Sequence, residues 1–140
     1  MTLRTEGRAV ESAQERAKWA WSSVEEVREK HFADRYGTLA RKLPSYLQVS
    51  GMGQTLAFLY AKGGDKGTNS AEGRMLHHLS ARIAKVLKDK VDAEGVLESV
   101  VKMSPEQYRA ATWELMASAV WLKRFAEGSL GEEEDTGGHS

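Results

Sequence analysis

Residues 104–127, SPEQYRAATWELMASAVWLKRFAE, decide the fold class. Ser104, Pro105 and Gln107 form a helix-start signal: a serine to cap, a proline where its missing N–H is no loss, and a glutamine to reach back to the cap. Between Ala110 and Leu122 the only charged residue is Glu114. Tyr108, Leu115, Ala119 and Leu122 make one apolar face at helical spacing. Trp113, Met116 and Val120 make a second beside it. A helix apolar nearly all round is either central to a bundle or shared with another protein.

Working towards the N-terminus, Asp92 is placed to cap a short helix carrying Val96, Leu97, Val100 and Val101. Residues 69–90 read as a longer helix. Asn69 with Glu72 resembles a capping box, and Met75, Leu76, Leu79, Ile83, Val86 and Leu87 share one side. Gly63–Gly67 reads as a loop. Leu56, Leu59 and Tyr60 fall in a short helix from Gln54 to Lys62, preceded by Gly51 and Gly53. Tyr36, Leu39, Leu43 and Leu47 mark another helix, with a kink or break expected at Pro44, which removes a backbone donor. Val10, Ala13, Ala17, Ala20, Val24 and Val27 step by threes and fours, predicting a first helix over about 8–35.

No stretch alternates like a strand, and no repeat is visible. The expectation is therefore an all-α, single-domain bundle of about six helices over residues 1–127. From Gly128 the chain offers one large apolar residue, Leu130, and an acidic run. Residues 128–140 are expected to be a disordered acidic tail.

The chain has 140 residues, no cysteine, two prolines and 41% apolar residues, enough for one domain with a substantial core. Without cysteine there is no thiol catalysis, zinc knuckle or iron–sulfur ligation. No secretory leader pattern opens the sequence and no run approaches a membrane span, so a soluble, cytoplasmic chain without membrane contact is expected. Catalytic signatures are scarce. Gly51-Met52-Gly53 begins like a dinucleotide fingerprint, but Leu56 stands where the third glycine belongs and no strand precedes it. His77 and His78 are adjacent and so point about 100° apart on a helix, which suits neither a metal pair nor a general base. No cofactor, metal site or catalytic residue is expected.

Twenty basic and twenty acidic side chains cancel to a net charge of zero, but not evenly. Residues 35–90 hold ten basic and three acidic side chains. Arg74, His78, Arg82, Lys85 and Lys88 project opposite the apolar seam of the 69–90 helix as a basic strip, about 20 Å long at 1.5 Å per residue. With Arg35, Arg41, Lys42, Lys62 and Lys66, they form a candidate polyanion-facing surface; the competing reading is a solvated basic face. Trp21 flanks the first helix's seam and reads as core. Trp19 projects away from that seam, so another helix covers it, or a ligand or partner subunit does. Trp19, Trp113 and Trp121 are the candidate subunit-interface residues.

The segment LPSYLQVSGMGQTLAF, residues 43–58, resembles the signature of the small α-helical subunit of type III-B CRISPR effector complexes, the Cmr family. Arg16-Ala17, Tyr108-Arg109 and Trp121–Ala126 are similar to that family as well, so the resemblance spans about residues 8–127. It implies a helical, non-catalytic subunit of an RNA-guided, RNA-cleaving antiviral complex. Copies of such a subunit stack beside the guide-binding backbone subunits and line the groove that holds guide and target RNA. The expected partners are thus other subunits of the complex, further copies of the chain, and guide and target RNA. Pro44, Gly51 and Gly53 read as architectural, reversing the chain, with Gln54 capping the turn or meeting RNA.

Overall fold

The structure, a computed structural model, describes residues 2–133, with side chains from residue 12 onward apart from Asp65. It contains five α-helices: α1 (Thr2–Val27), α2 (Ala33–Gly63), α3 (Ala71–Leu87), α4 (Val96–Val101) and α5 (Pro105–Ser129). A 3-10 segment, Gly64–Asn69, joins α2 to α3. Among the described residues there is no strand, and no helix is long and apolar enough to cross a membrane.

α5 starts where the sequence signals it. The Ser104 hydroxyl accepts the Gln107 N–H (3.1 Å) while the Gln107 side chain accepts the Ser104 N–H (2.9 Å). Two otherwise orphaned donors are satisfied, a device that contributes about 1 kcal/mol. Ala111, Leu115, Ala119, Leu122 and Ala126 are fully buried, and α1, α2 and α3 all pack on this helix. Small residues alternating with leucine let three helices approach one, and each buried leucine contributes roughly 1.5–3 kcal/mol. α5 is the centre of the bundle.

The break expected at Pro44 occurs instead at Gly51. Pro44 lies inside α2, and the backbone leaves helical space only at Gly51, with φ 85° and ψ 164°. Proline removes the bond to the Ala40 carbonyl, but Leu43 and Leu47 on either side of it are both buried, and their packing keeps the helix running. Positive φ is open to glycine without a Cβ penalty, so the reversal is made there. The Thr55 hydroxyl bonds the Gly51 carbonyl (2.8 Å) and the Tyr108 hydroxyl accepts the Gly53 N–H (3.1 Å). These two groups hold the turn, while Gln54 is exposed.

Three other boundaries move. α1 ends at Val27 rather than near Arg35, because the polar run Arg28–His31 offers nothing to bury before Phe32 re-enters the core. The cap of α3 is Ser70, whose hydroxyl accepts the Gly73 N–H (3.0 Å), rather than Asn69. At the C-terminus the helix runs through Gly128 to Ser129, and the chain then crosses α2. There Leu130 is buried, Arg41 donates to the carbonyls of Leu130 (2.8 Å) and Gly131 (2.9 Å), and the Thr38 hydroxyl accepts the Glu133 N–H (2.8 Å). Residues 128–133, expected to be disordered, are thus helical and then strapped to α2. Residues 134–140 lie outside the described part of the chain.

Candidate functional site

The basic strip of α3, except for Lys88 at its end, runs alongside acidic side chains of α1 and α5. α1 and α3 scarcely touch backbone to backbone, and long polar side chains bridge the gap between them. Glu26 of α1 bonds Arg74, and its carboxylate lies 3.0 Å from His78 Nε2. Glu15 of α1 pairs with Lys85 (2.8 Å). Glu114 of α5 accepts two bonds from Arg82 (2.9 and 3.1 Å), two from Arg16 (2.9 and 3.0 Å) and one from the Ser118 hydroxyl (2.9 Å). His78 and Arg82 are each only 6% exposed. Four of the five residues assigned to a polyanion-facing strip therefore lie against carboxylates of their own chain. Helical projection gave their common direction correctly; it could not show that α1 brings acids to meet them.

The shifts follow the same geometry. Burial opposes ionisation of Glu114 and Glu26, but hydrogen bonds outweigh it and hold both below the usual carboxylate value: from Arg16, Arg82 and Ser118 at Glu114, and from Arg74 and His78 at Glu26. His78 moves the other way. Burial lowers its pKa to about 4 against the opposing pull of Glu26, leaving it neutral near pH 7. The Tyr36 hydroxyl is 2.7 Å from His78 Nδ1, and burial holds the phenol protonated. The phenol thus donates to Nδ1, which puts the imidazole proton on Nε2, facing Glu26.

A pH dependence follows. Unfolded His78 takes up a proton near pH 6.5 and the folded imidazole only near pH 4, so its contribution to stability is complete above pH 6.5 and is lost as the pH falls from 6.5 to 4. The expected loss is about 2 to 3 kcal/mol, measured by urea unfolding at a series of pH values. His78→Gln should flatten that limb of the profile. An unchanged slope in the variant would assign the titration to another group.

The remaining candidates divide. Arg35 pairs with Glu72 (3.0 Å) and Glu133 (3.4 Å), and Arg41 with Glu132 (3.3 Å) as well as the strap carbonyls. Both are engaged by the chain itself. Lys42, Lys62, Lys66 and Lys88 are exposed or partly so, and none pairs with a carboxylate among the described residues. Open positive charge is therefore scattered over α2, the 3-10 segment and the end of α3.

The tryptophans divide too. Trp19 is covered within the chain: its indole N–H donates to the His78 carbonyl (3.0 Å) and the Arg82 guanidinium lies 5.7 Å from its ring. Of the three covers open to Trp19, the one the chain itself supplies is α3. Trp113 is 63% exposed, with the Arg16 guanidinium 4.8 Å from its ring centre. Trp121 is partly exposed beside Phe125, which Trp21 meets edge-on at 5.4 Å. Trp21, read as core, is 49% exposed, because its side of α1 is left open next to α5. Trp21, Trp113, Val120 and Trp121 thus place large apolar groups on the outer side of α1 and α5. The second apolar face of α5 signalled Trp113 and Val120, with Trp121 beside them; nothing in the sequence signalled Trp21.

Among the described residues no group of three His, Asp or Glu side chains converges as a metal site.

Four similarities bear on what this arrangement is. The family described as CRISPR-associated protein (Cas_Cmr5) matches residues 12–129. The Cmr subunit Cmr5 of the CRISPR system of Thermus thermophilus is 32% identical over 117 residues, covering 81% of this chain and 94% of its own length. Its counterpart from Thermotoga maritima is 32% identical over 124 residues, covering 86% of each chain. The crystal structure of a CRISPR-associated Cmr5 family protein from Thermus thermophilus superposes with a TM-score of 0.68 at 29% identity, covering 84% of this chain and 96% of that one. With sequence and fold in agreement over nearly the whole described chain, the protein belongs to the Cmr5 family, the small subunits of the Cmr (type III-B) CRISPR system.

Proposed function

We propose that this chain is a non-catalytic structural subunit of an RNA-guided, RNA-targeting Cmr complex inside the cell. It stacks beside the guide-binding backbone subunits and further copies of itself, and it helps to hold guide and target RNA without a cofactor. The observation that carries this reading is the contrast between what is closed and what is open. The buried polar groups are spent on one another inside the bundle, while Trp21, Trp113, Val120 and Trp121 are left in solvent. Exposed apolar groups clustered in this way mark a surface that another protein covers. The open lysines Lys42, Lys62, Lys66 and Lys88 supply phosphate contacts that need no sequence preference.

Assembly of the complex from purified subunits and guide RNA tests this. Trp113→Glu and Trp121→Glu change partly exposed side chains, so each variant should keep its helical circular dichroism while its incorporation falls at least tenfold, about 1.4 kcal/mol. Full incorporation of both variants would refute the interface.

A second reading has an observation of its own. Arg74 and Arg82 are consumed inside the chain, which favours a protein spacer that never meets RNA. Ultraviolet crosslinking of the assembled complex separates the two: crosslinks from this subunit to RNA support the first reading, and crosslinks to protein alone support the second.

A further inference from the structure

One side of α5 is buried, and the other carries its charges and side-chain sizes in an order that complements itself. At about 100° per residue Glu106 and Arg124 point in the same outward direction, about 27 Å apart along the helix. Trp113 and Ala117 lie between them, about 20° to either side of that direction. Ala110 and Trp121 flank the line on the side of α1, where Trp121 and Trp21 both meet Phe125. Arg109 and Val120 flank it on the far side. Glu106, Arg109, Ala110, Val120 and Arg124 are exposed, and Ala117 is half-buried beside the open indole of Trp113. None of Glu106, Arg109, Arg124 and Glu127 pairs with an opposite charge among the described residues.

Two such faces fit when the helices run antiparallel about a two-fold axis beside Leu115. Residues equally far before and after Leu115 then stand opposite one another. Glu106 meets Arg124 of the second copy, and Trp113 lies over Ala117 of the second copy. One residue off that spacing, Trp121 falls on Ala110 of the second copy and Val120 on the stem of its Arg109. Large groups meet small ones at the centre and opposite charges meet at the ends, and the symmetry repeats each contact. Other alignments are worse. An axis between Met116 and Ala117 would set Trp113 on Val120 of the second copy and bring Arg109 towards Arg124 of the second copy. A parallel pair in register would oppose Glu106 to Glu106 and Arg124 to Arg124. Like charges across the contact disfavour both.

We infer that outside the complex this face of α5 is capped by a second copy of the chain, in a closed antiparallel pair. The inference rests on the reading of the Trp113 surface as an interface and names its occupant in the free protein. Copies stacked in a row use two different surfaces, whereas here one surface meets itself and the assembly stops at two. The pair therefore consumes the Trp113 surface and has to open before the chain enters a complex through it.

Sedimentation equilibrium of the full chain over a concentration series tests this. A monomer–dimer equilibrium in roughly the micromolar range is expected, since one helix face buries less than the roughly 1,200 Å² of a standard interface. Glu106→Arg or Arg124→Glu alone should weaken the dimer roughly tenfold or more, because each sets like charges together twice. Both changes in one chain should restore the wild-type constant, because the pair is rebuilt with its signs exchanged. These side chains are exposed, and circular dichroism checks that each variant is folded. A dimer indifferent to all three variants, or one rescued instead by Arg109→Glu with Glu127→Arg, would put the contact elsewhere and overturn the inference. So would assemblies that grow past two copies. A wild-type chain that stays monomeric removes the pair, while the interface reading is then judged separately by incorporation of Trp113→Glu and Trp121→Glu into the complex.

Discussion

Glu114→Ala should lower the unfolding free energy by about 3 kcal/mol, the largest loss expected from any single polar substitution in this chain. Glu114 is the common acceptor for Arg16 and Arg82, and the Arg82 side chain is almost wholly buried. Truncation to alanine removes the carboxylate and leaves a buried guanidinium whose remaining counter-charge, Glu15, is half-exposed and 3.9 Å away. Breaking a buried pair from one side costs about 3–5 kcal/mol, because the partner's desolvation is no longer offset. The low end is expected because Arg16 retains some access to water. Chemical denaturation measures the loss. A double replacement, Glu114→Met with Arg82→Leu, should recover part of it, since it removes the more deeply buried charge with its acceptor and leaves only the more exposed Arg16 unpaired. A cost below about 1 kcal/mol for the single change would mean that both arginines find water instead. The same geometry makes charge reversal at Arg82 unsuitable as a probe of RNA binding: a second carboxylate beside Glu114 would unfold the protein before it reported on RNA.

Gly73→Ala should be the next most damaging change, although Gly73 sits in the first turn of an ordinary helix. A Cβ built there falls 1.8 Å from the Gly67 carbonyl oxygen and 3.0 Å from the Ser70 hydroxyl. The Gly67 oxygen belongs to the backbone and cannot rotate away like a side-chain end. It also accepts the Ser70 hydroxyl (3.2 Å), which in turn caps α3 through the Gly73 N–H. The methyl must therefore push the 3-10 segment off the start of α3 and loosen its cap. Overpacking of this kind costs about 1–3 kcal/mol, with loss of the cap adding roughly 1 kcal/mol more. A drop of several degrees in Tm, with Gly128→Ala as the unstrained control, is the expected result. If both alanine variants melt with the wild type, the 3-10 segment does not lie against α3 in solution.

Most of the fold was legible because helix starts and apolar spacing are local. Ser104 and Gln107 announce α5, and the leucines of α2 and α3 mark the faces that are buried. The family was legible from residues 43–58 and their flanks, and the match over residues 12–129 agrees with it. Pro44 misled because its cost is local while the burial of Leu43 and Leu47 that offsets it is not.

The site was less legible, and the reason is charge. A sequence shows that Arg74, His78, Arg82 and Lys85 share a side of a helix, and that Glu15, Glu26 and Glu114 are acidic. Which of these meet is set by where α1 and α5 lie against α3, with partners 32 to 98 residues apart in the chain. Arg35 and Arg41 were likewise claimed by Glu133 and Glu132 only because Leu130 is buried and draws the acidic segment across α2. The amino-acid order by itself determined an all-α bundle of this family with a large apolar face on its last helix. Tertiary structure alone decided which cations are structural and which are free: a charge is neutralised by whatever lies within a few ångströms of it, and chain order does not encode that distance.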